Sequence, residues 1–322
     1  MIKKIKDFIE NNNLIPDGSN IVLGLSGGPD SAFLLHLLAT LQKEGKINKL
    51  VAAHLDHEWR PESAKDAQFC REISKKYNIP LVAQKISDLG ISAKFGGSKE
   101  EFGRHARRYL LEKVLKEESA DFIALAHHAQ DQQETFFIRL IRGTSLSGLT
   151  AMWPKHGLYI RPLLQTNKKD IINFLKKNNI PYIVDPSNEM QEFLRNRIRK
   201  NVIPALVQCD DRFDSNFSQT LARLKNTELF LQELTQEKFR EIATEDVGTF
   251  YINLNQLLNL NPILQKRILV HWLIAQNVKF SISEGFLDEI IKFLKQPGSK
   301  KHQIHHDWFL VKKKGIVHIK MS

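Results

Sequence analysis

Residues Ile21–Ser31 read IVLGLSGGPDS, and AFLLHLLATL follows at once from Ala32 to Leu41. A short apolar run feeds a Ser-Gly-Gly-x-Asp-Ser turn, and the turn opens a helix-like apolar segment. A strand, a glycine-rich turn and a helix N-terminus in succession bind phosphate, because free backbone N–H groups and the helix dipole both favour an anion. A tight turn that simply needs glycine at positive φ is the plainer explanation; the strand–turn–helix context favours phosphate. The turn lacks the Gly-Lys-Ser/Thr ending of a Walker A loop and places Asp30 where that loop carries lysine. An acid beside phosphate repels it unless a cation lies between them, so Mg²⁺ held at Asp30 is implied.

Outward from this turn, strand-like and helix-like segments alternate through the first two hundred residues. Strands are expected at Asn20–Leu25, Leu50–Leu55, Leu81–Ile86 and Asp121–Ala126, with helices at Ser31–Leu41, Pro61–Tyr77 and Lys99–Glu117. Such alternation predicts an α/β fold, a parallel doubly wound sheet with helices on both faces. Ligands of such sheets sit beyond the C-terminal strand ends. The first strand exits into Ser26–Ser31, the second into His54-Leu55-Asp56-His57, the fourth into His127-His128-Ala129-Gln130-Asp131. In a parallel sheet these three polar clusters share one rim.

After Arg142 the pattern changes. Gly143–Met152 reads as loop, Tyr159–Leu164 as a last extended segment, and Asn167–Asn178 as helix. A turn-rich link, Asn179–Asn188, precedes helical stretches at Glu189–Ala205 and Asp214–Glu241. Helices near Pro262–Gln276 and Glu284–Gln296, and strand-like pieces at His302–His305, Trp308–Val311 and Ile316–Ile319, predict a smaller α+β C-terminal domain beyond a helical linker. The expected division is residues 1–205 and residues 206–322.

The 322 residues carry a net charge of +11, with 42% hydrophobic and 26% charged residues. These proportions are those of a soluble globular protein, and the basic balance suggests a polyanion such as nucleic acid. No apolar run is long enough to span a membrane and the N-terminus has no signal-peptide core, so a cytoplasmic location without a membrane partner is expected. Cys70 and Cys209 form no CxxC pair, which argues against a cysteine-built metal site.

Two further clusters admit both a functional and a plain reading. Asp131 and Glu134 share a helix face beside His127; they suit a metal or a cationic amine, or simply acids in a first helical turn. Arg195, Arg197, Arg199 and Lys200 put four cations in six residues. Arg195 and Arg199 stack at i, i+4, so a counter-anion is needed, and a nucleic-acid phosphate fits; an ordinary solvated face is the alternative. Arg104 and Arg107 lie on one face of Lys99–Arg108; a solvated charged face is the plain reading, and one arginine turned inward could clamp a phosphate or carboxylate. The aromatics Trp308 and Phe309 among C-terminal bases suit RNA or a small core, and core is the preferred reading.

SGGPDS resembles the signature of the PP-loop (N-type) ATP pyrophosphatases, of adenine nucleotide alpha hydrolase-like fold. Further motifs resemble one branch, the bacterial tRNA(Ile)-lysidine synthetases: His54-x-Asp56-His57-x-x-Arg60-Pro61-Glu62-Ser63, Glu100-x-x-x-Arg104-x-x-Arg107, and His127-His128-x-x-Asp131-Gln132-x-Glu134-Thr135. Arg139-x-x-Arg142-Gly143, Arg161-Pro162-Leu163, Asp185-x-Ser187-Asn188 and Arg195-Asn196-x-Ile198-Arg199 follow in order, so the match spans about residues 20–205.

The resemblance implies ATP with Mg²⁺, L-lysine and a tRNA(Ile) with a CAU anticodon. The wobble cytidine is adenylated at its C2 oxygen with loss of pyrophosphate; the lysine ε-amine then attacks C2 and AMP leaves. Ser26, Gly27, Gly28, Pro29, Asp30 and Ser31 would bind ATP, with Asp30 also on the metal. Asp30, Arg107, His127 and Asp131 would be catalytic, and Arg107, Asp131 and Glu134 would bind lysine. Arg195, Arg197, Arg199 and Lys200 would bind tRNA. A homodimer is left open. Gln130 stands where the family usually has an acid, Arg108 has no counterpart, and a final C-terminal module is expected to be missing. A PP-loop tRNA thiolase, which would want cysteines near the site, and a non-catalytic tRNA-binding relative are the rival readings.

Overall fold

A computed structural model of the chain describes residues 1–59, 62–91, 99–184, 194–278, 280 and 283–322. Arg60, Pro61 and the Asp185–Asn188 motif lie outside the described residues. The chain divides into two compact units, Met1–Ala222 and Arg223–Ser322.

In the first unit the order is α1 (Ile2–Asn11), β1 (Ser19–Gly24), α2 (Pro29–Lys43), β2 (Ile47–Asp56), α3 (Ser63–Lys76), β3 (Leu81–Lys85), α4 (Lys99–Glu117) and β4 (Phe122–Ala124). Then come α5 (Ala129–Ile141), α6 (Leu146–Leu149), β5 (Lys155–His156), β6 (Tyr159–Ile160), α7 (Lys168–Lys177), α8 (Leu194–Arg197) and α9 (Ile203–Cys209). Between α8 and α9 the backbone widens into a π-helical turn, Ile198–Val202. The long α10 (Phe213–Ile242) begins here and ends in the second unit.

Among the described residues the sheet order is β3-β2-β1-β4-β6-β5. All neighbours pair in parallel except the short β5–β6 hairpin. The central strands are apolar along their length because helices cover both faces. One face packs on α1, α2 and α7 through residues such as Leu23, Phe33, Leu37 and Ile171. The other packs on α4 through Val22, Val51, Ala106, Leu110 and Ile123. The expected doubly wound parallel sheet is the one observed. Its crossover point lies between β1 and β4, which are adjacent although β2 and β3 lie between them in the chain.

The second unit continues with β7 (Ala243–Asp246), β8 (Thr249–Asn253), α11 (Leu254–Leu258), α12 (Pro262–Ala275), α13 (Glu284–Lys295), β9 (Lys300–His305), β10 (Trp308–Lys313) and β11 (Ile316–Met321). Its antiparallel sheet runs β7-β8-β11-β10-β9 around a core of Ile252, Leu269, Trp272, Ile290 and Val317. Consecutive strand residues face opposite ways. Trp308 therefore packs on this core, while Phe309 lies on the other face under Lys301 Nζ, 3.6 Å from its ring centre. Buried Lys312 donates to the carbonyls that end α13, those of Phe293, Leu294 and Gln296. No helix of the described residues is long and apolar enough to cross a membrane.

Candidate active site

The turn after β1 is held open by its own side chains. Ser31 Oγ donates to the Gly28 carbonyl at 3.0 Å and accepts from the Ser26 N–H at 3.2 Å. Gly27 has φ +82°, a backbone conformation that favours glycine, and a Cβ there would also crowd the tip of Ile183 at 2.9 Å. Gly28 is different. Its φ is −68°, and a Cβ would meet only Ser26 Oγ, at an ordinary 3.6 Å. Nothing in the turn itself demands glycine at 28, which suits a backbone that a ligand approaches closely. Pro29 occupies the first helical position, where its missing N–H costs nothing, and Asp30 follows in the first turn.

Around Asp30 the rim closes. Ala129 N–H donates to the Thr166 carbonyl at 3.0 Å, and Gln130 Oε1 accepts from the Lys168 N–H at 3.0 Å. These bonds stitch the start of α5 to the start of α7 and deliver Lys168 Nζ to 3.3 Å from Asp30 Oδ2. His128 Nε2 lies 3.7 Å from Asp30 Oδ2 and 3.4 Å from Asp131 Oδ2. Asp131 in turn accepts from the His128 N–H at 2.9 Å, capping α5. Burial pushes the Asp131 carboxyl up, but His128, His127 and the His128 N–H outweigh it and hold the carboxyl below its usual value. Burial, reinforced by Arg161, Arg195 and Arg104, pushes His127 down to about 4, so its ring is neutral at pH 7.

Asp30 Oδ1, His127 Nδ1 and His128 Nδ1 are buried without a hydrogen-bond partner. Buried polar atoms are paired as a rule, so three orphans at one rim mark a site built for a ligand. Among the described residues no group of three or more His, Cys, Asp or Glu could hold a metal. Asp30 with its free Oδ1 fits Mg²⁺ only in the manner of nucleotide sites, where one carboxylate shares the ion with substrate phosphates.

One turn further along α5, Glu134 is buried, its side chain 1% exposed. Arg199 grips it with Nε at 2.5 Å from Oε1 and Nη2 at 3.0 Å from Oε2, and Arg195 Nε lies 3.1 Å from Oε2. The anion that the stacked Arg195 and Arg199 require is thus Glu134, supplied from within the unit. Arg197 and Lys200 of the same cationic run are exposed. Arg107 stands apart on α4, where its Nη2 donates to His57 Nε2 at 3.0 Å. It remains exposed to solvent. Lys168 escaped the sequence reading; its signal was its place just after the fifth parallel strand, behind the helix-capping Asn167.

Residues 1–206 match the PP-loop domain of the ATP_bind_3 family. The chain is 34% identical over 306 residues to the tRNA(Ile)-lysidine synthase of Bacillus subtilis, covering 92% of this chain and 64% of that one. It is 32% identical over 329 residues to the tRNA(Ile)-lysidine synthase of Clostridium perfringens, covering 100% of this chain and 69% of that one. The chain belongs to the PP-loop tRNA(Ile)-lysidine synthase family. It spans 64% of the length of the Bacillus relative. A solved U34-tRNA thiolase from Methanococcus maripaludis superposes with a TM-score of 0.59 at 20% identity, covering 69% of this chain and 78% of that one, and so shares the PP-loop fold.

Proposed function

We propose that the chain ligates L-lysine to C2 of the wobble cytidine of a tRNA(Ile) with a CAU anticodon, at the expense of ATP. The observation that carries this reading is the single rim of Asp30, Lys168, His127, His128 and Asp131 with its three buried, unpartnered polar atoms.

Ser26–Ser31 cradle the pyrophosphate end of ATP with backbone N–H groups at the start of α2. Asp30 would hold Mg²⁺, which would supply positive charge to offset the charge that develops between the α- and β-phosphates. Lys168, already beside Asp30, offers a second cation to the same phosphates. The cytidine C2 oxygen attacks the α-phosphorus and pyrophosphate departs; the lysine ε-amine then attacks C2 and AMP departs. Arg107 faces the α-phosphate from α4.

Free lysine presents an α-ammonium and an α-carboxylate side by side. Asp131 and Glu134 with Arg195 and Arg199 form a patch of both signs that fits this zwitterion. Asp131 takes the ammonium, while Glu134 holds in place the arginines that take the carboxylate. His127 donates or accepts a hydrogen bond at the reacting amine. A ring that titrates near 4 is too weak a base to hold an ammonium proton, so His127 does not remove it. Arg197 and Lys200, exposed on the same stretch of helix, meet tRNA phosphate.

Against the thiolase alternative, Cys70 is buried beside His54 with its thiol pushed up to about 12, and the exposed Cys209 is not paired with it. The test is tRNA-dependent release of pyrophosphate in the presence of lysine. Release with tRNA(Ile) supports ligation; tRNA binding without release leaves only a binding protein.

A further inference from the structure

The segment after β2 carries an aromatic that this scheme does not use. Trp59 is 42% exposed, although its ring is held on two sides. One face stacks on His57, with centroids 4.5 Å apart and planes 28° from parallel. Its benzo edge lies on α4 at Gly103, where a Cβ would stand 2.4 Å from Cη2 and 2.5 Å from Cζ2. No side chain could replace glycine there while the indole keeps its place, so Trp59 and Gly103 are a matched pair.

The surroundings have the chemistry of a nucleotide. One helical turn beyond Gly103, Arg107 donates to His57 Nε2 at 3.0 Å. His57, pushed down to about 4 by burial and then by Arg107, is neutral at pH 7. With Nε2 accepting from Arg107, its proton sits on Nδ1, which is buried and has no partner. The group follows the C-terminal end of β2, next to the strand that opens the phosphate turn. An aromatic placed only to fill a core would be buried; this one is fixed by a glycine and a histidine, yet keeps much of its surface open.

We infer that Trp59 is a stacking platform for a nucleobase, with Gly103 seating the ring, His57 closing one face and Arg107 supplying a cation for the attached phosphate. Indole faces accept any base, and removing one typically weakens binding about tenfold or more. The inference rests on the reading of the chain as an enzyme of ATP and tRNA. That reading offers two bases, the adenine of ATP and an unstacked base of the anticodon loop.

Tryptophan fluorescence separates them. Wild type and Trp59→Phe are titrated with ATP and, separately, with an anticodon stem-loop RNA carrying CAU. One ligand is expected to quench a component of the emission present in wild type and missing in Trp59→Phe. Trp59→Ala is expected to bind that ligand about tenfold more weakly and the other unchanged, with Trp59→Phe close to wild type. Should Trp59→Ala fail to fold, the comparison of quenching with Trp59→Phe still decides. Normal binding of both ligands without a Trp59 component, or with unchanged affinity in a folded Trp59→Ala, overturns the platform and leaves the enzyme reading standing. A wild-type chain that binds neither ligand removes both.

Discussion

Arg199 holds the buried Glu134 in a two-point grip, Nε to Oε1 at 2.5 Å and Nη2 to Oε2 at 3.0 Å, and the two residues are 65 positions apart. A carboxylate 1% exposed needs its cations, because an unpaired buried charge is costly. Glu134→Gln keeps the shape and removes the charge. It is expected to lower unfolding stability by about 2 kcal/mol, since Arg199 and Arg195 are partly solvated and recover some hydration. It is also expected to raise the KM for lysine more than that for ATP. Urea unfolding and steady-state kinetics measure both; equal changes in the two KM values would separate Glu134 from the lysine pocket.

Asp30 and Lys168 are joined by a 3.3 Å ion pair at the mouth of the phosphate turn. Asp30→Ala is expected to abolish tRNA-dependent pyrophosphate release while tRNA binding persists. Lys168→Met removes one charge-assisted contact to phosphate, worth about 1.5–3 kcal/mol, and is expected to weaken ATP binding at least tenfold. Calorimetric titration with ATP checks this, and unchanged affinity would confine Lys168 to holding Asp30.

The histidines of the rim set a pH dependence. Folded His127 and His57 both titrate near 4, against an ordinary 6.5. Between those values the unfolded chain binds more protons, so their contribution to stability is complete above about pH 6.5 and is lost as pH falls towards 4. Asp131, held below its usual 3.8, extends the loss to lower pH. The urea midpoint is expected to fall from about pH 7 to about pH 5, and less steeply in His127→Gln. A midpoint flat across that range would contradict the burial of these rings.

Gly103 offers a test by sign. Alanine in place of glycine inside a helix usually stabilises by up to about 1 kcal/mol. Here the added Cβ meets the Trp59 ring, so Gly103→Ala is expected to cost about 1–3 kcal/mol. Trp59→Ala in the same chain should recover most of that cost. Thermal unfolding of the two single variants and the double variant gives the coupling, and additive effects would mean that the ring moves aside freely.

The sheet and its rim were legible because each is local. IVLGLSGGPDS announces strand, turn and helix within eleven residues, and the parallel rule places three strand ends together. Long-range pairing was not legible. The stacking of Arg195 over Arg199 called for an anion, but nothing in the order of residues says that Glu134 supplies it. Lys168 reaches Asp30 only because Gln130 and Thr166 tie α5 to α7. Gln130 caps α7 with its side-chain carbonyl, a bond that an acid would make with charge. The strand β7 is hidden from a sequence reading because Ala243–Asp246 is polar and short, and its pairing partner rather than its composition makes it a strand. Trp59 is seated by the missing Cβ of Gly103, a contact across 44 positions that the order of residues does not announce.

The central claim is that this rim joins lysine to cytidine, and the most direct measurement is the mass of the wobble nucleoside. A tRNA(Ile) transcript with a CAU anticodon is incubated with the chain, ATP, Mg²⁺ and lysine, then digested to nucleosides. The account predicts that the anticodon cytidine is replaced by its lysine adduct, and that omission of ATP or the Asp30→Ala substitution prevents it. Unmodified cytidine from a folded chain that binds both ATP and the tRNA would contradict it.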